Sequence, residues 1–277
     1  GVHVSIGGGV CRAIERAREL ECETVQFFGH NPRGWRVAPI PQGEVEGFKA
    51  GRKGMGLEPA IIHASYLINL ASPEESIFKR SVELFVKELE IGEMLEVDFV
   101  VVHPGSTRGR DSRYGIRRVR EAISLVCKKK PELRTGILLE NTSGCGYTLG
   151  SQLGELREII DGFNNRDIGI CFDTCHGYAA GYPMETVSDV NRLVGTIDAE
   201  VGLQYLALIH LNDSKGSLGS RIDRHQHIGY GKIGLGGFRA LLNHSSLKDI
   251  PMILETPKKS ARDDLNNLNV IRKLTDK

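Results

Sequence analysis

Short, nearly continuous apolar runs rich in β-branched residues recur along the chain, each followed by a stretch of helical periodicity. The runs predict strands at Val2–Ser5, Thr24–Phe28, Ala60–Ile62, Phe99–Val102, Gly136–Leu139, Ile168–Phe172, Leu206–Ile209 and Pro251–Leu254. The amphipathic stretches predict helices at Val10–Leu20, Glu44–Gly54, Pro73–Ile91, Arg113–Lys129, Gln152–Ile160, Glu185–Val201, Gly237–Leu242 and Ser260–Leu274. Continuous rather than alternating apolar strands are buried on both faces, the mark of a parallel sheet covered by helices. Eight strand–helix units in 277 residues fit an α/β fold of the closed (β/α)8 TIM-barrel type better than an open doubly wound sheet. No Pro-, Gly- or Ser-rich linker interrupts the pattern, so residues 1–277 read as a single barrel domain.

The polar tips that follow these runs share one chemistry. They are His63-Ala64-Ser65-Tyr66, His103-Pro104-Gly105, Glu140-Asn141-Thr142, Asp173-Thr174-Cys175-His176 and His210-Leu211-Asn212-Asp213, with Asp223-Arg224-His225 and Glu255-Thr256-Pro257 downstream. His63, His103, Glu140, Asp173, His210 and Glu255 lie at, or one residue beyond, a predicted strand end. In a barrel those ends converge on one face, so residues far apart in sequence can meet. With His176, Asp223 and His225 the set reaches five histidines and four carboxylates, more than a single ion needs. It therefore predicts two or three ions, with Glu140, on a middle strand, as the natural bridge. Asp223 and His225 point the same way only if their segment is extended.

Imidazole and carboxylate without a required thiolate suit zinc, manganese or iron, and the chain lacks the short cysteine spacing of closed structural zinc sites. A cluster of this kind suits phosphodiester hydrolysis, activating water and neutralising phosphate charge. The rival chemistry is sugar isomerisation or epimerisation in the same barrel class, which needs fewer ions and leaves Asp223 and His225 without a role. A noncatalytic DNA-damage binding module with saturated structural metals is a third reading, disfavoured by the oxygen-rich ligand set.

Composition narrows the picture modestly. Apolar content of 40% and charged content of 26% describe an ordinary globular chain, and no apolar run nears the roughly 20 residues needed to span a bilayer. With no signal peptide evident, the expectation is a cytoplasmic protein without membrane association. Net charge of +1 neither supports nor excludes nucleic acid, because basic residues can gather on one face. The six cysteines form no C-x-x-C pair and read as reduced thiols, and His176 is a better ligand than its neighbour Cys175. Gly7-Gly8-Gly9 lacks both the P-loop ending and the dinucleotide spacing, and predicts a tight turn into the first helix.

The stretches His63-Ala64-Ser65-Tyr66-Leu67-Ile68-Asn69, Gly169-Ile170-Cys171-Phe172-Asp173-Thr174-Cys175-His176 and His210-Leu211-Asn212-Asp213-Ser214-Lys215, continuing to Asp223-Arg224-His225-Gln226-His227-Ile228-Gly229, resemble the endonuclease IV family of apurinic/apyrimidinic (AP) endonucleases. The resemblance implies a (β/α)8 barrel with three zinc ions. By position, His63, His103 and Glu140 would hold one ion. Glu140 would bridge to a second, held also by Asp173, His210 and Glu255, while His176, Asp223 and His225 would hold the third. Glu140, Asp173, His176 and Glu255 would form the catalytic core. The implied reaction is zinc-dependent cleavage of duplex DNA 5′ to an abasic site, leaving a 3′ hydroxyl and a 5′ deoxyribose phosphate, with repair of damaged 3′ ends. A monomer associated with the nucleoid in base excision repair would suffice.

The resemblance also carries DNA contacts. Asn31-Pro32-Arg33-Gly34-Trp35-Arg36 sets two arginines beside the only tryptophan. Arg33 would enter the base stack, Tyr66 and Leu67 would press into the minor groove at the lesion, and Lys215 and Arg224 would meet phosphates. Trp35 is read as packing beneath the loop, and His3, near the end of strand one, either supports the site or is a structural inward-facing barrel residue.

Overall fold

The computed structural model describes residues 1–163, 167–260 and 262–275. Its main sheet contains β1 (Val2–Val4), β2 (Val25–Phe28), β3 (Ala60–His63), β4 (Phe99–Val102), β5 (Gly136–Glu140), β6 (Ile168–Asp173), β7 (Leu206–His210) and β10 (Met252–Ile253), paired in that order. All seven neighbouring pairs are parallel. A parallel bridge between Val2 and Leu254 closes the ring, with His3 N donating to Leu254 O at 2.9 Å and Leu254 N to Gly1 O at 3.0 Å. The predicted (β/α)8 TIM barrel is therefore the observed fold.

The helices are α1 (Cys11–Glu19), α2 (Gln42–Met55), α3 (Glu75–Leu95), α4 (Ser112–Lys129), α5 (Leu153–Ile160), α6 (Thr174–Ala180), α7 (Val187–Glu200), α8 (Gly234–Asn243) and α9 (Asp263–Leu274). None is long and apolar enough to cross a membrane. Helix α3 runs four residues past the predicted end and stops where Glu96 turns left-handed, with Val97 N bonded back to Gly92 O. Helix α7 starts later than its amphipathic pattern suggests, because Thr186 and Asp189 form a reciprocal capping box that fixes the first turn. The Gly7–Gly9 segment is the predicted turn into α1, with Gly9 N donating to Ile6 O at 2.9 Å.

One helix and a two-stranded ribbon are not foreseen by the sequence pattern. Helix α6 springs directly from β6, and β8 (Asp213–Ser214) pairs antiparallel with β9 (His225–Gln226) in a short ribbon above the barrel.

Side chains alternate across each strand, and this alternation builds the site. The outward set, including Val100, Val102, Ile137, Leu139, Ile170 and Ile209, joins the core beneath the helices. The inward set forms a separate plug of Ile61, Val101, Leu138, Cys171, Leu208 and Ile253, each fully buried. Burying an aliphatic side chain of this size contributes about 1.5–3 kcal/mol. Two positions further along the same strands, on the same face, stand His63, His103, Glu140, Asp173, His210 and Glu255. The dry plug is thus the floor on which the candidate ligands sit.

Candidate metal centre

Four of these ligands are the last residues of their strands: His63 of β3, Glu140 of β5, Asp173 of β6 and His210 of β7. The predicted strands stopped one residue short of each, since a polar residue ends an apolar run although the ladder continues through it. His103 follows β4 by one residue. Glu255 lies two residues beyond the shortened β10, which corrects its expected place at or one residue past a strand end.

Around Glu140, which is fully buried, stand His63 Nε2 at 3.1 Å, His103 Nε2 at 3.5 Å, His176 Nδ1 at 3.2 Å and His210 Nδ1 at 3.2 Å. His210 Nδ1 is also 3.3 Å from Glu255 Oε2. His176 Nε2 lies 3.1 Å from Asp223 Oδ1, and His225 Nε2 lies 3.5 Å from Asp173 Oδ2 and 3.7 Å from Asp223 Oδ1. Three groups with ligand atoms within 4.8 Å of one another could each hold a metal ion: His63/His103/Glu140, Glu140/Asp173/His210/Glu255 and His176/Asp223/His225. The same test also passes His63/His210/Glu255 and Asp173/Cys175/His225. Burial pushes the Cys175 thiol up to about 12, and the histidine-rich groups supply imidazole and carboxylate ligands without needing a thiolate.

The hydrogen bonds behind these atoms indicate which nitrogen is available. His63 Nδ1 bonds Ala64 O at 2.9 Å, His176 Nδ1 bonds Asn141 O at 3.1 Å and His225 Nδ1 bonds Glu255 O at 3.0 Å. His210 reverses the pattern, with Nε2 on Gln26 Oε1 at 2.8 Å. A carbonyl oxygen only accepts, so each of these nitrogens carries the hydrogen and the opposite nitrogen of the neutral ring presents a lone pair. Within this centre, His103 Nδ1, Glu140 Oε1, His210 Nδ1 and His225 Nε2 are buried without a hydrogen-bond partner among the described residues. Such a donor set, converging and only partly satisfied, fits divalent cations.

The charges match this arrangement. Burial pushes the Glu140 carboxyl up, but His103, His210 and His176 more than offset it and hold the group well below the usual carboxylate range. Glu255 behaves alike, with burial outweighed by His210 and by a hydrogen bond from His3. Burial disfavours charge on His176 and His210 too, yet neighbouring acids carry both well above the ordinary histidine value. For His103 burial wins and lowers the value. The centre is a balanced field of shared protons, the kind that cations displace.

Polar residues that sequence reasoning missed hold the ring in place. Gln26 of β2 is wholly buried at the level of the plug, paired in register with Ile61. Its amide nitrogen lies 2.6 Å from Glu255 Oε1 and 2.9 Å from His3 Nδ1, while its oxygen takes the His210 contact. Asn212 Nδ2 donates to Asp173 Oδ2 at 2.7 Å, and its Oδ1 accepts from Glu255 N at 2.8 Å. Asp173 Oδ1 caps α6 by accepting from His176 N at 2.7 Å, which fixes His176 against β6. Only the apolar interruption at Gln26 was available as a signal. His3 reaches Glu255, with Nδ1 3.4 Å from Oε1. His227 turns away to Asn267 Nδ2 at 3.0 Å.

Asp223 and His225 are joined to the barrel through the ribbon. Lys215 N donates to Arg224 O at 3.0 Å, which sets these two exposed cations across from each other. Below, the buried Asp213 carboxylate accepts from Ser214, Gly229, Gly231 and Ile233 backbone N–H groups at 2.8–3.0 Å. On the opposite rim, Arg33 is exposed, Leu67 is half-buried and Tyr66 is 64% exposed with its ring edge-on to Phe28 at 5.1 Å. Trp35 packs against the core with Arg80 stacked 4.2 Å above its ring, as expected of a residue beneath the loop. Gly105 permits the turn after His103: its φ is +101°, and a Cβ would meet Asn69 Oδ1 at 2.2 Å.

A family model described as a xylose isomerase-like TIM barrel matches residues 14–274, which sets the class of the chain. Within that class, a protein of Halothermothrix orenii named probable endonuclease 4 is 42% identical, over 99% of this chain and 99% of its own. The crystal structure of endonuclease IV from Thermus thermophilus superposes with a TM-score of 0.88 at 40% identity, covering 99% of this chain and 97% of that one. The chain belongs to the endonuclease IV family. A D-tagatose 3-epimerase-like protein shares the fold alone, at 21% identity and a TM-score of 0.73 over 99% of this chain and 96% of that one.

Proposed function

We propose that this chain is a zinc-dependent AP endonuclease (a deoxyribonuclease IV) that hydrolyses the phosphodiester 5′ to an abasic site in duplex DNA and also repairs blocked 3′ ends. The observation that carries this reading is the convergence of nine imidazole and carboxylate groups into three sets, two of which share Glu140. His63, His103 and Glu140 would hold one zinc; Glu140, Asp173, His210 and Glu255 a second; His176, Asp223 and His225 a third. When bound, such ions neutralise phosphate charge and make water a nucleophile near neutral pH. An epimerase would have no use for the third set, which draws His176 from α6, His225 from β9 and Asp223 from the segment just before it.

The protein's own groups supply position and exclusion. Glu140, Asp173, His176 and Glu255 fix the centre, each held by hydrogen bonds or opposing charge. The cavity over the centre, about 320 Å³ and lined by His63, Tyr66, His103, His176, Asp223 and Glu255, is of a size for a sugar-phosphate rather than a paired duplex. Arg33 would fill the gap in the stack, and Tyr66 and Leu67 would support the widened minor groove. Lys215 and Arg224 would hold flanking phosphates without reading sequence. Extrusion costs least where the base is already absent, which favours abasic sites.

The deciding experiment is cleavage of a duplex with one synthetic abasic site beside an intact duplex, with metal content measured on the same sample. Incision 5′ to the site with close to three zinc per chain is the expected result. A fully metallated protein that leaves both duplexes intact would overturn the reading and direct attention to sugar substrates.

A further inference from the structure

Glu88 lies on the core-facing side of α3, among the buried Leu84, Phe85 and Leu89, and is itself 1% exposed. A carboxylate there is costly unless it is paired, and an apolar side chain of similar volume would pack without that cost. Its partners show what it achieves. Glu88 Oε1 accepts from Ser65 N at 2.9 Å and lies 3.0 Å from Nε2 of the buried His30. Ser65 Oγ donates to Pro32 O at 2.7 Å and accepts from Leu67 N at 3.2 Å. The bonds close a ring, from His30 through Glu88 and Ser65 to Pro32 and back along the chain.

That ring joins two loops from different strands. His30 and Pro32 lead directly into Arg33, whose own N–H is tied to Asn31 Oδ1 at 3.1 Å. Ser65 immediately precedes Tyr66 and Leu67. Among the described residues, neither Glu88 nor His30 belongs to a group able to hold an ion, so the metal centre does not account for them.

We propose that the buried Glu88–His30 pair is a positioning device that couples the Arg33 loop to the Tyr66–Leu67 loop, so that both enter damaged DNA as one preformed wedge. The proposal rests on the DNA contacts assigned above. Neither residue touches DNA; each acts by lowering the ordering cost that two independently mobile loops would incur on binding.

The test is equilibrium binding of metal-loaded protein to a duplex carrying a non-cleavable abasic analogue, beside an intact duplex. Arg33→Ala, Tyr66→Ala and the double variant are compared with Glu88 present and with Glu88→Leu. With Glu88, the double variant is expected to lose less affinity than the product of the singles, by about three- to tenfold. Glu88→Leu is expected to retain its metal, to melt at a lower temperature because Ser65 N–H and His30 Nε2 lose their acceptor, to weaken lesion binding about tenfold well below that temperature, and to make the two loop effects multiply. Coupling that persists in Glu88→Leu with lesion affinity unchanged would overturn the proposal. Should that variant not fold, Ser65→Ala removes the bond to Pro32: reduced coupling supports the device and intact coupling overturns it. A parent protein with no preference for the lesion duplex removes the DNA reading itself, and this proposal with it.

Discussion

Both mouths of the barrel are lined with carboxylates, yet they use them in opposite ways. At the N-terminal mouth Glu58, Glu93, Glu96, Asp98 and Asp167 surround a depression with Arg134. Asp98 Oδ2 accepts from Ala60 N at 2.7 Å and from Arg52, and Glu93 Oε2 accepts from Arg134 N at 2.8 Å and Thr135 N at 3.2 Å. Those acids close off backbone donors where strands begin, so their lone pairs serve the fold. At the C-terminal mouth the acids face ring nitrogens whose hydrogens are committed elsewhere, and buried atoms remain without partners. The density of acidic residues does not distinguish a structural mouth from a reactive one. What the acids are bonded to does.

The contrast can be broken at either end. The largest effect is expected from Glu140→Gln, which removes the charge shared by two ligand sets. Cleavage at an abasic site should fall on the order of a thousandfold or more with the circular dichroism spectrum unchanged. Wild-type single-turnover rates in a metal-verified sample would remove Glu140 from its role. Asp223→Ala should next lower zinc content by close to one ion per chain, with the other two sets retained; three zinc per chain by elemental analysis would show that Asp223 is dispensable. Gln26→Ala strips His210 of its orienting acceptor and Glu255 of a donor, and competition with a chelator should show metal affinity weakened about 10–100-fold. Unaltered affinity would make Gln26 a packing residue only. The smallest effect belongs to the other mouth: Asp98→Ala should destabilise the fold by about 1–3 kcal/mol in urea while leaving cleavage untouched. A loss of cleavage there, at constant stability, would erase the distinction between the mouths.

The sequence made the barrel legible because every barrel strand lies in an apolar run and every such run save the first two is followed by a histidine or an acid. It made His63, His103, Glu140, Asp173, His210 and Glu255 legible for the same reason, whereas His176, Asp223 and His225 follow no apolar run directly and stand out only through their polar stretches and the family resemblance. Helix α6 was hidden because Thr174-Cys175-His176-Gly177-Tyr178 has no amphipathic period and begins directly after the strand's last residue, which is its N-cap. The ribbon was hidden because two-residue strands separated by a glycine- and serine-containing loop leave no alternation to detect. Gln26 and Glu88 could not be assigned, since a polar residue in an apolar run and an acid on a helix look the same whether they hold something or merely interrupt it. Their meaning lies in partners distant in sequence, His210 and Glu255 for one, His30 and Ser65 for the other.

The two-residue step from plug to ligand also sets what change this chain can absorb. Loops at the other mouth, such as the one between α8 and β10, can gain or lose residues while the ladder stays in register. One residue added between Leu138 and Glu140 would turn the carboxylate toward the helices and a leucine toward the cavity. Length is therefore free to drift between the strands and forbidden to drift by one within them, so the barrel serves as a ruler marked in twos.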